Sequence, residues 1–475
     1  MNPFSFLAKL KSHDTITPMF NFSPLFDCLS GYYAKGVDDV YYLNGGLTPN
    51  NAITGGNNTQ KTGVCVLAMA RMLIYWPSSV VIFFDVESTF DVTRLAKMID
   101  REIGIPGYFD EHILDKRFFY YTRSKGMDGT FIHNFVKDYA LKVQEAIKNK
   151  EDVYLTLPFP DNDGNPIKVI SQTTLVVDSI SEMDFIKVSE HFQEGDVDSG
   201  GEKRTRDMQL GNMRRVVYED LDVIGGKSGF VQLWTAQVVD IINMTGQPLE
   251  KQSVFIRQGK KLKAPKALLQ RPPLGIEIFR GGPLKNGQEW MYPNPFGKDV
   301  VITSDAKEAP DLIQYSSGTY RCKSGPSGFI LSFIGSQSLG IQEELSMYDV
   351  LKKNDYYGLD GSKQSHACTF YPECKVSRTT VWNKSMEDSR LRTAMTLQYH
   401  LLVLTSTNLE LDKKYRLSPK EVYDLVIEQG YDFNEFLDTV YFYHGNPDIK
   451  KPTLTIMELL CIAVDKKKPY WHKKK

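Results

Sequence analysis

Residues 44–76 read NGGLTPNNAITGGNNTQKTGVCVLAMARMLIYW, and this stretch decides the fold class. A turn rich in glycine and asparagine leads into GGNNTQKT, residues 55–62, and an apolar helical run follows at once. The pattern GxxxxGK[ST] forms a loop whose backbone N–H groups cradle phosphates, while its Lys reaches the β- and γ-phosphates and its hydroxyl binds Mg²⁺. Gly55, Lys61 and Thr62 fill three of its positions, and Gln60 stands where the second glycine belongs. Alone, the segment reads equally well as a polar turn before a helix. Its place between a turn and an apolar helix favours the loop, because a helix N-terminus attracts phosphate.

Outward from this segment, strands and helices alternate. SSVVIFFDVES contains a buried strand over Val80–Asp85, TTLVVDS a second near Leu175, GFVQLWTAQ a third near Val231 and LGIEIF a fourth near Ile276. Helical stretches lie between them, over roughly Lys61–Tyr75, 130–149 and 205–221. This alternation predicts an α/β fold with a mainly parallel sheet covered on both faces.

Around that core, residues 1–40 carry aromatics among turn-formers, with Pro3, Pro18 and Pro24 interrupting any long helix, and are expected to form an N-terminal arm for protomer contacts. The core is expected over 41–290. Residues 150–170 look like an inserted hairpin around the turn DNDGNP. Residues 291–475 are expected to form a C-terminal domain, Gly- and Pro-rich at first and mainly helical after about 340, ending in the basic tail KKKPYWHKKK.

Bulk properties narrow the function classes. With 475 residues there is room for two or three domains. Net charge is −1, so a nucleic-acid site must be a local cluster of Lys and Arg. Six cysteines are too few for a disulfide scaffold of this size, and no segment reaches the ~18 apolar residues of a membrane helix. A soluble, cytoplasmic protein is expected. The spacing of His366, Cys368 and Cys374 in HACTFYPEC matches no paired-cysteine zinc site, so no structural metal is expected.

Three further strand ends carry polar groups suited to nucleotide chemistry. Glu87 lies just past VVIFFD, at the edge where α/β sheets bind ligands, and can polarise an attacking water. LVVDSIS has the form of a Walker B strand, with Asp178 supporting the Mg²⁺ shell. VQLWTAQ reads as a buried strand ending in Gln237, whose amide can report a γ-phosphate to the chain that follows.

These segments, NGGLTPNNAITGGNNTQKT, DVESTFD, LVVDSISEM and LWTAQ in this order, resemble the RecA family over about 41–285. Within it, the chain looks most like the UvsX-type recombinases of T-even-like bacteriophages, whose loop also carries a bulky residue at the second glycine. LGIQEELSMYDVLKKNDYY and TTVWNKSMEDSRLRTAMTLQYHLL are similar to stretches of their C-terminal part. The resemblance implies a RecA-type P-loop ATPase that forms helical filaments on single-stranded DNA, pairs it with homologous duplex DNA and uses ATP and Mg²⁺. It also implies a loader protein and a single-strand-binding protein as partners, and the host cytoplasm as location if the chain is phage-encoded. Carried onto this sequence, it assigns ATP binding to Gly55, Gly56, Asn57, Asn58, Thr59, Gln60, Lys61 and Thr62 and catalysis to Glu87, Gln237 and Lys61, with Thr62 and Asp178 at Mg²⁺. Asp91 matches a residue near the adenine base, and Arg94 stands where the family often has an aromatic.

Two stretches fit DNA-binding loops. One, about 190–206, contains Lys203, Arg204 and Arg206; the other, about 243–271, holds Arg257, Lys260, Lys261, Lys263, Lys266 and Arg271. YRCKSGPS resembles the place from which phage recombinases reach a neighbour's phosphates, making Arg321 and Lys323 trans-acting candidates. The order of these residues is also compatible with a ring helicase of the DnaB type. Gln60 and the insertion keep open a RecA-fold filament scaffold with weak or no hydrolysis.

Overall fold

Period-two alternation divides the central strands between two apolar faces. Val81 and Phe83 join one core cluster while Ile82 and Phe84 join another, and Ile53, Val176 and Leu233 are likewise separated from Ala52, Val177 and Trp234. The computed structural model describes residues 16–149, 154–170, 173–186, 200–241, 259–285, 308–325, 327–337, 339–362, 365–442 and 450–472.

The main sheet contains β1 (Asn50–Gly55), β2 (Val80–Asp85), β3 (Phe118–Thr122), β4 (Thr173–Asp178), β5 (Val231–Asp240), β6 (Leu274–Lys285), β7 (Glu308–Cys322), β8 (Ile330–Ser336) and β9 (Gly340–Gln342). Their spatial order is β9-β8-β7-β6-β1-β5-β4-β2-β3. Pairing is parallel from β6 to β3 and antiparallel from β6 to β9. The fold is therefore α/β, with a large mixed, mostly parallel sheet.

Helices α1 (Lys61–Tyr75) and α2 (Val92–Ile103) cover one face, and α3 (Gly129–Lys148) and α4 (Gly200–Ser228) the other. The sequence places α1 correctly and starts α4 five residues late, because that helix has no strong apolar stripe to mark its ends. Residues 154–160 and 166–170 form the expected antiparallel hairpin, which buries Leu157, Phe159 and Ile167 against the first face.

Two expectations about the flanks change. The sheet continues past residue 290: β7, β8 and β9 extend it, although Ser and Gly in YSSGTYRC hide the strand signal of β7. Residues 16–40, expected to be part of an arm, pack on their own chain instead. Phe20, Phe22, Leu25, Phe26 and Leu29 are all buried in the first core cluster. The prolines stop a helix without stopping burial, and residues 1–15 lie outside the described residues.

The C-terminal part contains α5 (Glu343–Lys352), α6 (Val381–Glu387), α7 (Ser389–Thr407), α8 (Pro419–Glu428) and α9 (Ile456–Asp465) around a second apolar cluster, with a small sheet of residues 360–376 beside them. The N-terminal segment is fastened to this part: Thr455 donates to the Tyr41 carbonyl at 2.6 Å, and the Tyr41 N–H donates to Glu458 at 2.9 Å. The basic tail is docked as far as residue 472, where Trp471 packs on Phe436 and His472 lies 2.5 Å from Glu435. No helix among the described residues is long and apolar enough to cross a membrane.

Arg71 on α1 joins three elements below the sheet. It pairs with Glu102 on α2 and, at 2.6 Å, with Glu343 on α5, which also accepts from Ser23 at 2.5 Å. Removing one member of a buried ion network strands the rest, at a cost of about 3–5 kcal/mol. Arg71→Ala is therefore expected to lower unfolding free energy by about that much in urea titration. A loss below about 1 kcal/mol would mean that water reaches these carboxylates.

Candidate active site

The C-terminal ends of β1, β2 and β4 meet Gln237 of β5 at one edge of the sheet. Gly55 pairs with Gln237 and Asp85 with Asp178, so the register brings these four residues together. Ligands of open α/β sheets bind at this edge.

The connection from β1 to α1 is a tight loop. Thr59 Oγ1 donates to the Gly56 carbonyl at 2.9 Å and Lys61 Nζ to the same oxygen at 2.7 Å. A Cβ on Gly55 would come within 2.6 Å of the Ile278 carbonyl oxygen, so only glycine fits there. Gln60 takes a left-handed φ of 64°, a conformation usually left to glycine. Its side chain turns away from the loop and does not cap α1. Instead Nε2 donates to the Ser336 carbonyl at 3.1 Å, and Oε1 accepts from Arg94 at 3.0 Å. The first-turn amides of α1 thus remain available to an anion.

Lys61 is only 8% exposed. Burial lowers its pKa, against the attraction of Asp178 and Glu87. A buried ammonium with a backbone carbonyl as acceptor gains from an additional anionic partner. Thr62 donates to Asp178 Oδ2 at 2.5 Å, and Thr235 donates to Asp178 Oδ1. Burial raises the Asp178 pKa while these two hydroxyls and Lys61 oppose the rise. This hydroxyl–carboxylate pair suits a magnesium ion held mainly by substrate phosphates and water. Among the described residues no cluster of three His, Cys, Asp or Glu could hold a metal ion by itself. Thr235 escapes sequence reading, although it lies two residues before Gln237 and therefore on the same face.

Glu87 accepts from Ser179 at 2.7 Å and from Gln237 Nε2 at 3.0 Å. Asp85, two residues earlier, is occupied differently: it accepts from the Thr89 and Phe90 N–H groups and, at 2.8 Å, from the Tyr120 hydroxyl. Asp85 thus shapes the turn, and Glu87 is the carboxylate presented at the edge. The Asp178–Ser179 peptide is cis.

The two residues expected near a base both make contacts within the chain. Asp91 caps α2, accepting from the Thr93 N–H at 2.9 Å and its hydroxyl at 2.7 Å, which lowers the Asp91 pKa. Arg94 lies against Gln60 and the Ser336 carbonyl.

Comparison with known protein families and curated proteins finds no match to this chain.

The basic stretch after Gln237 is partly a β-ladder rather than a loop. Lys260–Leu262 pairs antiparallel with the end of β5, Lys260 opposite Asp240, so β5 continues past Gln237. Lys260 pairs with Asp240 at 2.6 Å and Lys263 with Glu182 at 2.7 Å, while Arg271 lies 3.4 Å from Asp222. Lys261 is exposed in the same short strand, and Lys266 precedes the helical turn Ala267–Gln270. Arg206 lies on α4; the side chains of Lys203 and Arg204, and all of Arg257, lie outside the described residues.

Arg321 pairs with Gly275 at the start of β6, whereas the loop leaves β1 beside Ile278. Arg321 and Lys323 therefore sit toward the opposite edge of the parallel strands, with Arg321 Nε donating to the Pro272 carbonyl at 2.8 Å. This placement sets them apart from the 55–62 loop of their own chain. A cavity of about 550 Å³ lies at the far end of α1, lined by Arg71, Tyr75 and Glu102, and is separate from the site at the sheet edge.

Proposed function

We propose that this chain is an ATP-dependent DNA-strand-exchange protein with a RecA-type core, acting as a filament on single-stranded DNA. The observation that carries the reading is the double engagement of Gln237. Its side chain donates to Glu87 at the sheet edge, and its carbonyl accepts at 2.8 Å from the N–H of Lys263, the residue that follows the basic strand. One residue thus touches both the group suited to hydrolysis and the backbone of a cationic surface.

In this reading Lys61 and the first amides of α1 hold the β- and γ-phosphates, and Thr62 with Asp178 orients the magnesium that accompanies the substrate. Glu87 takes a proton from water as its oxygen attacks the γ-phosphorus, and ADP leaves with the bridging oxygen. Gln237 exchanges its Glu87 contact for the γ-phosphate, which moves the ladder carrying Lys260, Lys261 and Lys263. Arg321 and Lys323 act on a neighbour's phosphates, so the site is completed between protomers. A ligand shifts an equilibrium only by its preference between states, and the γ-phosphate supplies that preference here.

The test is fluorescence-anisotropy titration of labelled single-stranded DNA across salt, with ADP or a non-hydrolysable ATP analogue. Gln237→Ala is expected to bind nucleotide but lose the ATP-dependent gain in DNA affinity. Neutralising Lys260, Lys261 and Lys263 together should weaken DNA binding in every nucleotide state and reduce its salt slope by up to about 2. A full nucleotide effect in Gln237→Ala rejects the sensor, and normal DNA binding by the triple variant moves the DNA path elsewhere.

A further inference from the structure

Gln60 occupies a slot built from three distant parts of the chain. Its amide bridges the Arg94 guanidinium on α2 and the Ser336 carbonyl at the end of β8, and Arg94 also reaches that carbonyl at 3.4 Å. Three glycines make room. A Cβ on Gly63 would collide with Gln60 Oε1, one on Gly335 would come within 3.2 Å of Gln60 Cγ, and one on Gly340 within 3.5 Å of Arg94. Tyr315, fully buried on β7, also meets the Gln60 side chain and accepts from Gln337 at 3.4 Å. Gln60 itself is only 6% exposed.

The slot lies at a junction. Ser336 ends β8, and within a few residues the chain forms β9 and enters α5, the first helix of the C-terminal part. The Ser346 hydroxyl on α5 accepts from the Ile334 N–H at 2.9 Å, closing a short circuit between helix and strand. A glycine at position 60 would adopt φ 64° with less strain but would make none of these side-chain bonds.

We infer that Gln60 is a positioning residue that transmits occupancy of the 55–62 loop to β8, β9 and α5 through the Ser336 carbonyl, with Arg94 holding its amide in register. The inference rests on the nucleotide reading above. Phosphate fixes the loop backbone, the fixed backbone fixes Gln60, and the β8–β9 turn opens less often.

Hydrogen–deuterium exchange of full-length protein tests this, with and without the magnesium complex of adenosine 5′-(β,γ-imido)triphosphate. Nucleotide binding is followed separately by calorimetry. In the parent chain the nucleotide should slow exchange of amides 339–346 by at least about threefold, as expected when a local opening is suppressed. In Gln60→Gly, compared at nucleotide concentrations that calorimetry shows to saturate each protein, the exchange response at 339–346 should fall below about a third of its parental size. Gln60→Glu keeps an acceptor for Arg94 but loses the donor to Ser336, and should lose the same response. Either variant retaining the full response overturns the inference. A parent chain that binds nucleotide without any response at 339–346 also overturns it, leaving the nucleotide reading intact. A parent chain that takes up no nucleotide overturns both.

Discussion

Glu87→Gln is expected to bind ATP and assemble on single-stranded DNA like the parent chain, yet hydrolyse ATP at least about 100-fold more slowly, the low end for loss of a general base. The substitution keeps size and hydrogen-bonding capacity, so the bonds from Ser179 and Gln237 to position 87 can persist. What disappears is the charge that, in the proposed reaction, would draw a proton from water. Asp85 is poorly placed to compensate, since its oxygens accept from two backbone N–H groups and the Tyr120 hydroxyl. Single-turnover hydrolysis beside an equilibrium binding curve separates chemistry from affinity. Near-parental turnover would remove Glu87 from the reaction.

Lys61→Met should abolish measurable turnover and weaken ATP binding by about 100-fold or more, because charge-assisted hydrogen bonds contribute roughly 1.5–3 kcal/mol each. The protein should nonetheless fold. Burial lowers the Lys61 pKa despite the attraction of Asp178 and Glu87, so the native state disfavours its charge on balance. With a depressed folded pKa, the unfolded chain binds the proton more readily, and the group opposes folding below that pKa. A flexible apolar side chain of similar length removes this cost, and thermal unfolding should begin no earlier than in the parent chain. Full turnover in a folded Lys61→Met protein would make the 55–62 loop an ordinary turn.

The central strands were legible because burial on both faces produces apolar runs such as VVIFFD and TTLVVD, bounded by turns and acids. Glu87, Asp178 and Gln237 could be proposed because each lies at or near the end of such a run. Other features depended on distant partners. Gln60 reads as a defective glycine position until Ser336, 276 residues away, supplies its acceptor. The bond from Arg94 to Gln60, 34 residues away, is likewise not written in the local sequence. β7 is hard to read because four consecutive positions, 316–319, hold Ser, Ser, Gly and Thr, whose burial comes from neighbouring strands rather than from their own hydrophobicity. The same reasoning applies to residues 16–40, whose aromatic side chains identify apolar content without specifying the surface they cover.

The attachments of the C-terminal helices also carry a kinematic consequence. Among the bonds that fasten them to the rest of the chain are Arg71–Glu343, Tyr33–His400, His400 with the Pro24 carbonyl, and Tyr41 with Thr455 and Glu458, while the Gln60–Ser336 bond reaches β8, the strand that leads toward α5. A body pinned at more than three points off one line cannot turn when any single bond is lost. The Gln60 attachment is the one beside the candidate phosphate loop. Its release would therefore act locally, on the passage from β8 to β9, and leave the helical part as a whole in place.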